Sequence, residues 1–264
     1  MTRSICALES PQLKIFSMSF LLILLFFSST LSGISPIVVT QKFDDKMVFV
    51  EGNDTIKSFY MDKYETTMAE FQLFAEKTGY KTVSEVLDSG KVYNPYAKMV
   101  KGVNWRHDIY GRKIPLERYT ELPVTRLSLK DGQAYAEWVG KRIPTKEEWL
   151  YAARGGAKSE SFKYPGGNSA RQLGWFDGNS RETLMPIGQK IPNELGLYDI
   201  GGNVTEMALE PEERGVNGLG GAFFLDKDYF EMEFIHNGFY TSKKFFDKSA
   251  LPFAGIRLVS KEKK

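Results

Sequence analysis

Apolar positions along this chain fall into short periodic segments separated by long irregular ones. Lys46 to Gly52 (KMVFVEG) and Lys57 to Asp62 (KSFYMD) flank Asn53-Asp54 and predict two short strands around a turn. From Thr67 to Lys77, residues Met68, Phe71, Phe74 and Ala75 recur at helical spacing, and the helix ends near Gly79. Ser128 to Gly140 predicts a second helix, capped by Ser128 and continued by Gln133, Ala134, Tyr135, Trp138 and Val139. Thr145 to Arg154 is the clearest helix start. In Pro144-Thr145-Lys146-Glu147-Glu148, Thr145 can accept the Glu148 amide while Glu148 reaches back, and Trp149, Ala152 and Ala153 then share the core face. The stretch 82–122 is polar and poorly periodic, as loops that line ligands often are. From Gly155 to Gly221 glycine, asparagine and proline recur, which predicts loops and short strands, and Phe253 to Val259 (FAGIRLV) predicts a final strand. No repeat or composition break divides these segments, so one domain is expected.

An unbroken apolar run, Ile15 to Phe27 (IFSMSFLLILLFF), lies ahead of all this. Lys14 precedes it and Ser28, Ser29, Ser32 and Gly33 follow. It suits the core of an export signal and is shorter than the roughly 20 residues a membrane span needs. Residues 1–33 are therefore expected to be a signal peptide and 34–264 the folded domain. No membrane insertion is expected after cleavage, and the location is periplasmic, cell-envelope associated or secreted. The single cysteine, Cys6, lies before the run. A cleaved protein would have no thiol, and so no disulfide, thiolate metal site or cysteine chemistry. The 35 basic and 33 acidic residues nearly balance, which argues against a nucleic-acid partner. Two histidines, His107 and His236, are too few for a histidine-built metal centre.

Taken in order, several blocks resemble the formylglycine-generating enzyme (sulfatase-modifying factor) family. They are Tyr64-Glu65-Thr66-Thr67 with Phe71, Thr78-Gly79-Tyr80, Gly102 to His107 (GVNWRH), Pro123-Val124, and Ala134-Tyr135 with Trp138. Gly140 to Gly156 (GKRIPTKEEWLYAARGG) is the most specific. Tyr164-Pro165, Pro192-Asn193, Gly196 to Asp199 (GLYD), Gly202-Asn203-Val204, Gly220-Gly221 and Gly255-Ile256-Arg257 follow. The likeness spans about residues 43–260. It implies a single α+β domain related to the C-type lectin fold, low in regular secondary structure, with a shallow substrate groove.

The family's oxidases convert a sulfatase cysteine to formylglycine with copper held by two cysteines, which follow a Gly-Gly-Ser-aromatic segment. Here that segment is Gly220-Gly221-Ala222-Phe223, Leu219 stands where an arginine is common, and Leu225 and Phe230 occupy the cysteine spacings. Copper(I) needs soft sulfur donors, and the nearby Met232 is one thioether only. No copper is expected, and the resemblance implies a non-catalytic member, a protein- or glycan-binding or scaffold module of the cell envelope. The alternative is an oxidase with an altered metal centre.

Asp199 to Glu206 (DIGGNVTE) resembles the family's calcium loop. It implies a structural Ca2+ held by the Asp199 and Glu206 carboxylates and the Gly202 and Val204 carbonyls, with Asn203 bonding back to the backbone. The other reading is a glycine turn held by local hydrogen bonds. Trp105, Arg106 and His107, together with Phe223, Phe224, Tyr229 and Phe230, are the groove candidates; alternatively Trp105 pins the long loop to the core while Arg106 pairs with an acid. Trp138, Trp149 and Trp175 are expected in the core. Phe223, Phe224, Tyr229, Phe230, Phe234, Phe239, Tyr240, Phe245 and Phe246 crowd the last quarter, and exposure of several would make a protein-contact patch there.

Overall fold

Local capping chemistry places the helices. A computed structural model describes residues 46–93, 98–210, 215–235, the backbone of 240–242, and 250–264. The expected signal segment and the side chains of His236, Phe239, Tyr240, Phe245 and Phe246 lie outside the described residues. Helix α1 (Met68–Thr78) starts at Thr67, whose hydroxyl accepts the Glu70 amide while Glu70 reaches back, and Gly79 closes it in the left-handed conformation. The same reciprocal pair starts α2 (Val83–Val86) at Thr82 and Glu85, α3 (Leu129–Trp138) at Ser128 and Asp131, and α4 (Lys146–Ala153) at Thr145 and Glu148.

The predicted strand pair is β1 (Met47–Val50) and β2 (Phe59–Asp62), which are antiparallel. In the turn between them, the Asn53 carboxamide oxygen accepts from the Thr55 and Ile56 amides. The irregular stretch holds α2, a hairpin of β3 (Ser89–Val92) and β4 (Lys98–Lys101), and a 3₁₀ turn at Leu116–Arg118. Beyond α4 come α5 (Ala170–Leu173), β5 (Gly174–Trp175), α6 (Asp177–Ser180), β6 (Gly201–Gly202), β7 (Thr205–Leu209) and β8 (Gly215–Leu219). A short β9 (Tyr240–Ser242) then lies against β8.

The final segment departs from the expected single strand. Ala254–Gly255 (β10) lies parallel to β7, whereas Val259–Ser260 (β11) lies antiparallel to β2. The chain changes sheets between them, and Arg257, which lies at that step, is fully buried. The two larger sheets run β1-β2-β11 and β10-β7-β8-β9, and β3-β4 and β5-β6 form two-stranded pairs. Two apolar clusters fill the interior. One gathers Phe71, Phe74, Trp105 and Tyr135 under α1 and α3; the other gathers Phe59, Met61, Trp149 and Phe230. The architecture is α+β with little regular secondary structure, as expected.

Candidate functional site

The segment after β8 is where the resemblance puts redox chemistry, and here it is filled with carbon. Gly220 and Gly221 both take positive φ, 84° and 77°, and turn the chain against the core. Ala222 and Phe223 are buried behind them. The Leu225 amide donates to the Ala222 carbonyl, and the Leu225 carbonyl accepts from the Asp177 amide. Phe230 is 1% exposed and lies over two glycines. A Cβ on Gly201 would come within 2.5 Å of its ring, and one on Gly174 within 2.9 Å. Tyr164 and Phe176 close its sides at ring separations of 5.2 and 6.0 Å. The glycines at 174 and 201 thus make a slot that an aromatic ring fills, a pairing the sequence alone did not reveal.

The expected groove is not assembled. Trp105, Phe223 and Phe230 are core side chains, not lining residues. Trp105 meets Phe71 edge-on at 5.3 Å and tilts against Tyr119 at 5.9 Å. Arg106 stacks over the Trp105 ring at 4.1 Å and pairs with Glu85 at 2.7 Å, so the loop-pinning alternative holds. The His107 ring is half-buried with Nδ1 against Asn104, and burial pushes its pKa down. Arg126, itself buried, fastens the same loop: it donates to the His107, Asp108 and Lys91 carbonyls. Burial lowers its pKa to about 10, which leaves it charged at neutral pH. Among the described late aromatics, Tyr229 and Phe234 are exposed, Phe224 is half-buried, and Phe223 and Phe230 are buried.

A buried polar hub lies beneath β7. Glu65, Asp199, Asn203, Glu206 and Arg257 are each at most 1% exposed. Arg257 Nε donates to both Glu206 oxygens at 3.0 Å, and Trp149 Nε1 donates to Glu206 Oε2 at 2.6 Å. Asn203, expected to bond back to the backbone, does so at Met185, outside its own turn. Its amide nitrogen donates to Glu65 Oε2 at 2.8 Å and its carbonyl oxygen accepts from the Met185 amide. The Val204 amide donates to Glu65 Oε1, and the Gly188 amide donates to Asp199 Oδ2. Asp199 Oδ1 has no partner among the described residues. Burial and the neighbouring carboxylates push Glu65 well above the usual range; burial raises Asp199 to about 6.

Three buried carboxyl groups share one buried guanidinium, and burial raises the pKa of two of them. The unpartnered Asp199 oxygen and the hard donor type fit a calcium ion. No three acidic, histidine or cysteine side chains converge on one point among the described residues, so backbone oxygens would have to complete the ligand set.

A second polar concavity lies beside α1 and α3. Lys46 pairs with Glu70 at 2.5 Å, and Lys141 pairs with Asp62 at 2.5 Å. Both pairs line one cleft with Tyr135. Trp138 corrects the expectation of a core indole: it is 42% exposed at the outer end of this cleft. Trp149 is core as expected, and Trp175 is half-buried under Lys190, whose ammonium stands 3.7 Å from its ring centroid.

The chain is similar to known proteins in sequence and in fold. The family described as "Sulfatase-modifying factor enzyme 1-like domain" matches residues 38–262. The formylglycine-generating enzyme of Mus musculus is 32% identical over 206 residues, covering 64% of this chain and 55% of that protein. The chain thus spans about half the length of that relative. The inactive C-alpha-formylglycine-generating enzyme 2 of Mus musculus is 30% identical over 203 residues, covering 65% of each. Chaperone protein LppX of Paenibacillus barcinonensis is 30% identical over 201 residues, covering 63% of this chain and 71% of that protein. Among solved structures, CarF matches in fold, with a TM-score of 0.58 at 20% identity over 82% of this chain and 98% of that one. Among the described residues no helix is long and apolar enough to cross a membrane.

Proposed function

Because the chain belongs to the sulfatase-modifying factor enzyme 1-like domain family, we propose that it is a non-catalytic member, exported to the cell envelope, where it binds a protein or glycan partner. The observation that carries this reading is Phe230. One of the two positions where the family's oxidases need a thiolate is taken by a buried ring seated between glycines, and the other by Leu225. Neither side chain has a lone pair for copper(I). The similarity to an inactive family member and to a chaperone supports a binding role. The test is direct. A cysteine-containing sulfatase peptide incubated with the purified chain, copper and dioxygen is expected to keep its thiol by mass spectrometry; a peptide aldehyde would overturn the reading.

We further propose that the hub takes calcium as a structural ion. The Asp199 and Glu206 carboxylates and the Gly202 and Val204 carbonyls would hold it. Adding calcium to chelator-treated protein is expected to raise the melting temperature by several degrees, since a ligand bound only by the folded state stabilises it by mass action. An unchanged melting temperature at millimolar calcium retires the site.

A further inference from the structure

We propose that the cleft beside α3 binds a short oligosaccharide, with Trp138 as its stacking platform and Tyr135 and the pairs Lys46–Glu70 and Asp62–Lys141 as its hydrogen-bonding floor. The proposal rests on the binding-module reading above and names its face and ligand class. No lining residue of this cleft belongs to the 220–230 segment.

The geometry has two adjoining parts. The inner part, about 380 Å³, is lined by both ion pairs, Tyr135, Tyr64 and residues 65–67. The outer part, about 580 Å³, shares Lys46, Glu70, Tyr135 and Lys141 and adds Leu73, Trp138 and Val139. Trp138 rests against Phe74 and Tyr135 at ring separations of 5.6 and 6.3 Å, yet both it and Leu73 remain 42% exposed. A tryptophan held on one side by two core rings and open on the other offers a fixed apolar face.

The floor decides which ligand suits that face. Glu70 is doubly committed: Oε2 accepts from the Thr67 amide and hydroxyl, both at 2.8 Å, and Oε1 accepts from Lys46. Lys141 donates to Asp62 Oδ1. Each pair is neutral within itself, and the side chains are only 14–22% exposed. A charged ligand at this floor would leave one member of a shielded pair uncompensated. A sugar hydroxyl both donates and accepts, so it can bond to a lysine and a carboxylate without separating them. The Tyr135 phenol adds a neutral hydroxyl, since burial and the nearby Glu70 and Asp62 push its pKa up. The apolar C–H face of a pyranose ring then matches the indole. Lys263 and Lys264 line the outer rim, which makes an acidic peptide the competing occupant.

The experiment titrates the full chain with tetrasaccharides of β-linked glucose, β-linked N-acetylglucosamine and α-linked mannose, and with a hexaglutamate peptide, by tryptophan fluorescence and calorimetry. At least one tetrasaccharide is expected to bind at sub-millimolar concentration. Trp138→Ala should weaken that binding about tenfold or more, and Asp62→Asn should weaken it as well. The melting temperature of Trp138→Ala should move by no more than about 2 °C, because the side chain is half outside the core. Binding of no tetrasaccharide, binding unchanged in Trp138→Ala, or binding of the peptide alone overturns the proposal. The peptide-aldehyde assay is independent of all three, so the cleft can fail while the non-catalytic reading stands, and the reverse.

Discussion

Replacing Arg257 with methionine is expected to lower the stability of the chain by about 3–5 kcal/mol, measured by chemical denaturation at pH 8. The side chain is fully buried and holds three separate stretches together. Its guanidinium donates to the Asp62 and Lys63 carbonyls at 3.0 and 2.7 Å, to the Tyr198 carbonyl at 2.7 Å, and to Glu206 at 2.7 Å. Methionine fills much of the volume but leaves Glu206, Glu65 and Asp199 without the buried guanidinium. The loss should depend on pH in a definite direction. Asp199 titrates near 6 in the folded chain and Glu65 well above its usual range, both mainly because burial disfavours the charged form. A carboxyl group with a raised folded value favours the folded state most below its unfolded pKa, near 4, and that contribution fades as pH rises through the folded value. Arg257 opposes the rise in both groups by its charge, so removing it should cost most at pH 8 and less at pH 5, where the carboxyl groups take up protons. Glu206→Gln combined with Arg257→Met should recover part of the loss. A cost below about 1 kcal/mol at pH 8, or one that grows toward pH 5, would show that the hub is not held by this charge.

Much of the fold was legible because its signals are local. Each capping pair lies within one helical turn, so Thr67–Glu70, Ser128–Asp131 and Thr145–Glu148 place the helix starts without reference to the rest of the chain. The hub is a different kind of object. Asn203 and Glu65 are 138 positions apart and Arg257 and Glu206 are 51 apart, and no periodicity links them. Even so, Glu65, Asn203 and Arg257 all stood inside the blocks that carried the family resemblance, which was the one available sign that they act together. The Trp105-Arg106-His107 groove failed for a physical reason: a tryptophan in an irregular loop can anchor that loop as readily as it can face solvent, and Arg126 supplies the polar half of the anchor. Trp138 misled in the opposite sense. It keeps the helical spacing of a core position but falls on the last turn of α3 and is 42% exposed. The final strand was read from composition alone, and composition does not register that Ala254–Gly255 and Val259–Ser260 join different sheets.

Phe230→Ala is the second large effect expected, a loss of about 3–5 kcal/mol, because the hole it leaves cannot close. Collapse normally recovers part of such a cost, but here one side of the hole is backbone and the other is already filled by the Tyr164 and Phe176 rings. Gly174 and Gly201 face the ring with no side chain to lean inward, and β5 and β6 are paired to each other in parallel at those residues. Leu225→Ala should cost far less, about 1 kcal/mol, since Leu225 is half-buried in a turn held by its own backbone. The contrast separates two meanings of a missing ligand. If the segment were merely an oxidase site stripped of its thiolates, both positions would be loosely packed and both truncations mild. If the second position has been absorbed into the core, Phe230 alone should be costly. The double replacement Leu225→Cys with Phe230→Cys sharpens the point: it restores two sulfur atoms but carries nearly the full penalty of the empty slot, so the variant should melt at lower temperature and still give no peptide aldehyde. A double variant as stable as the parent, turning over peptide with copper, would mean that the slot between the glycines is shaped for a metal centre after all.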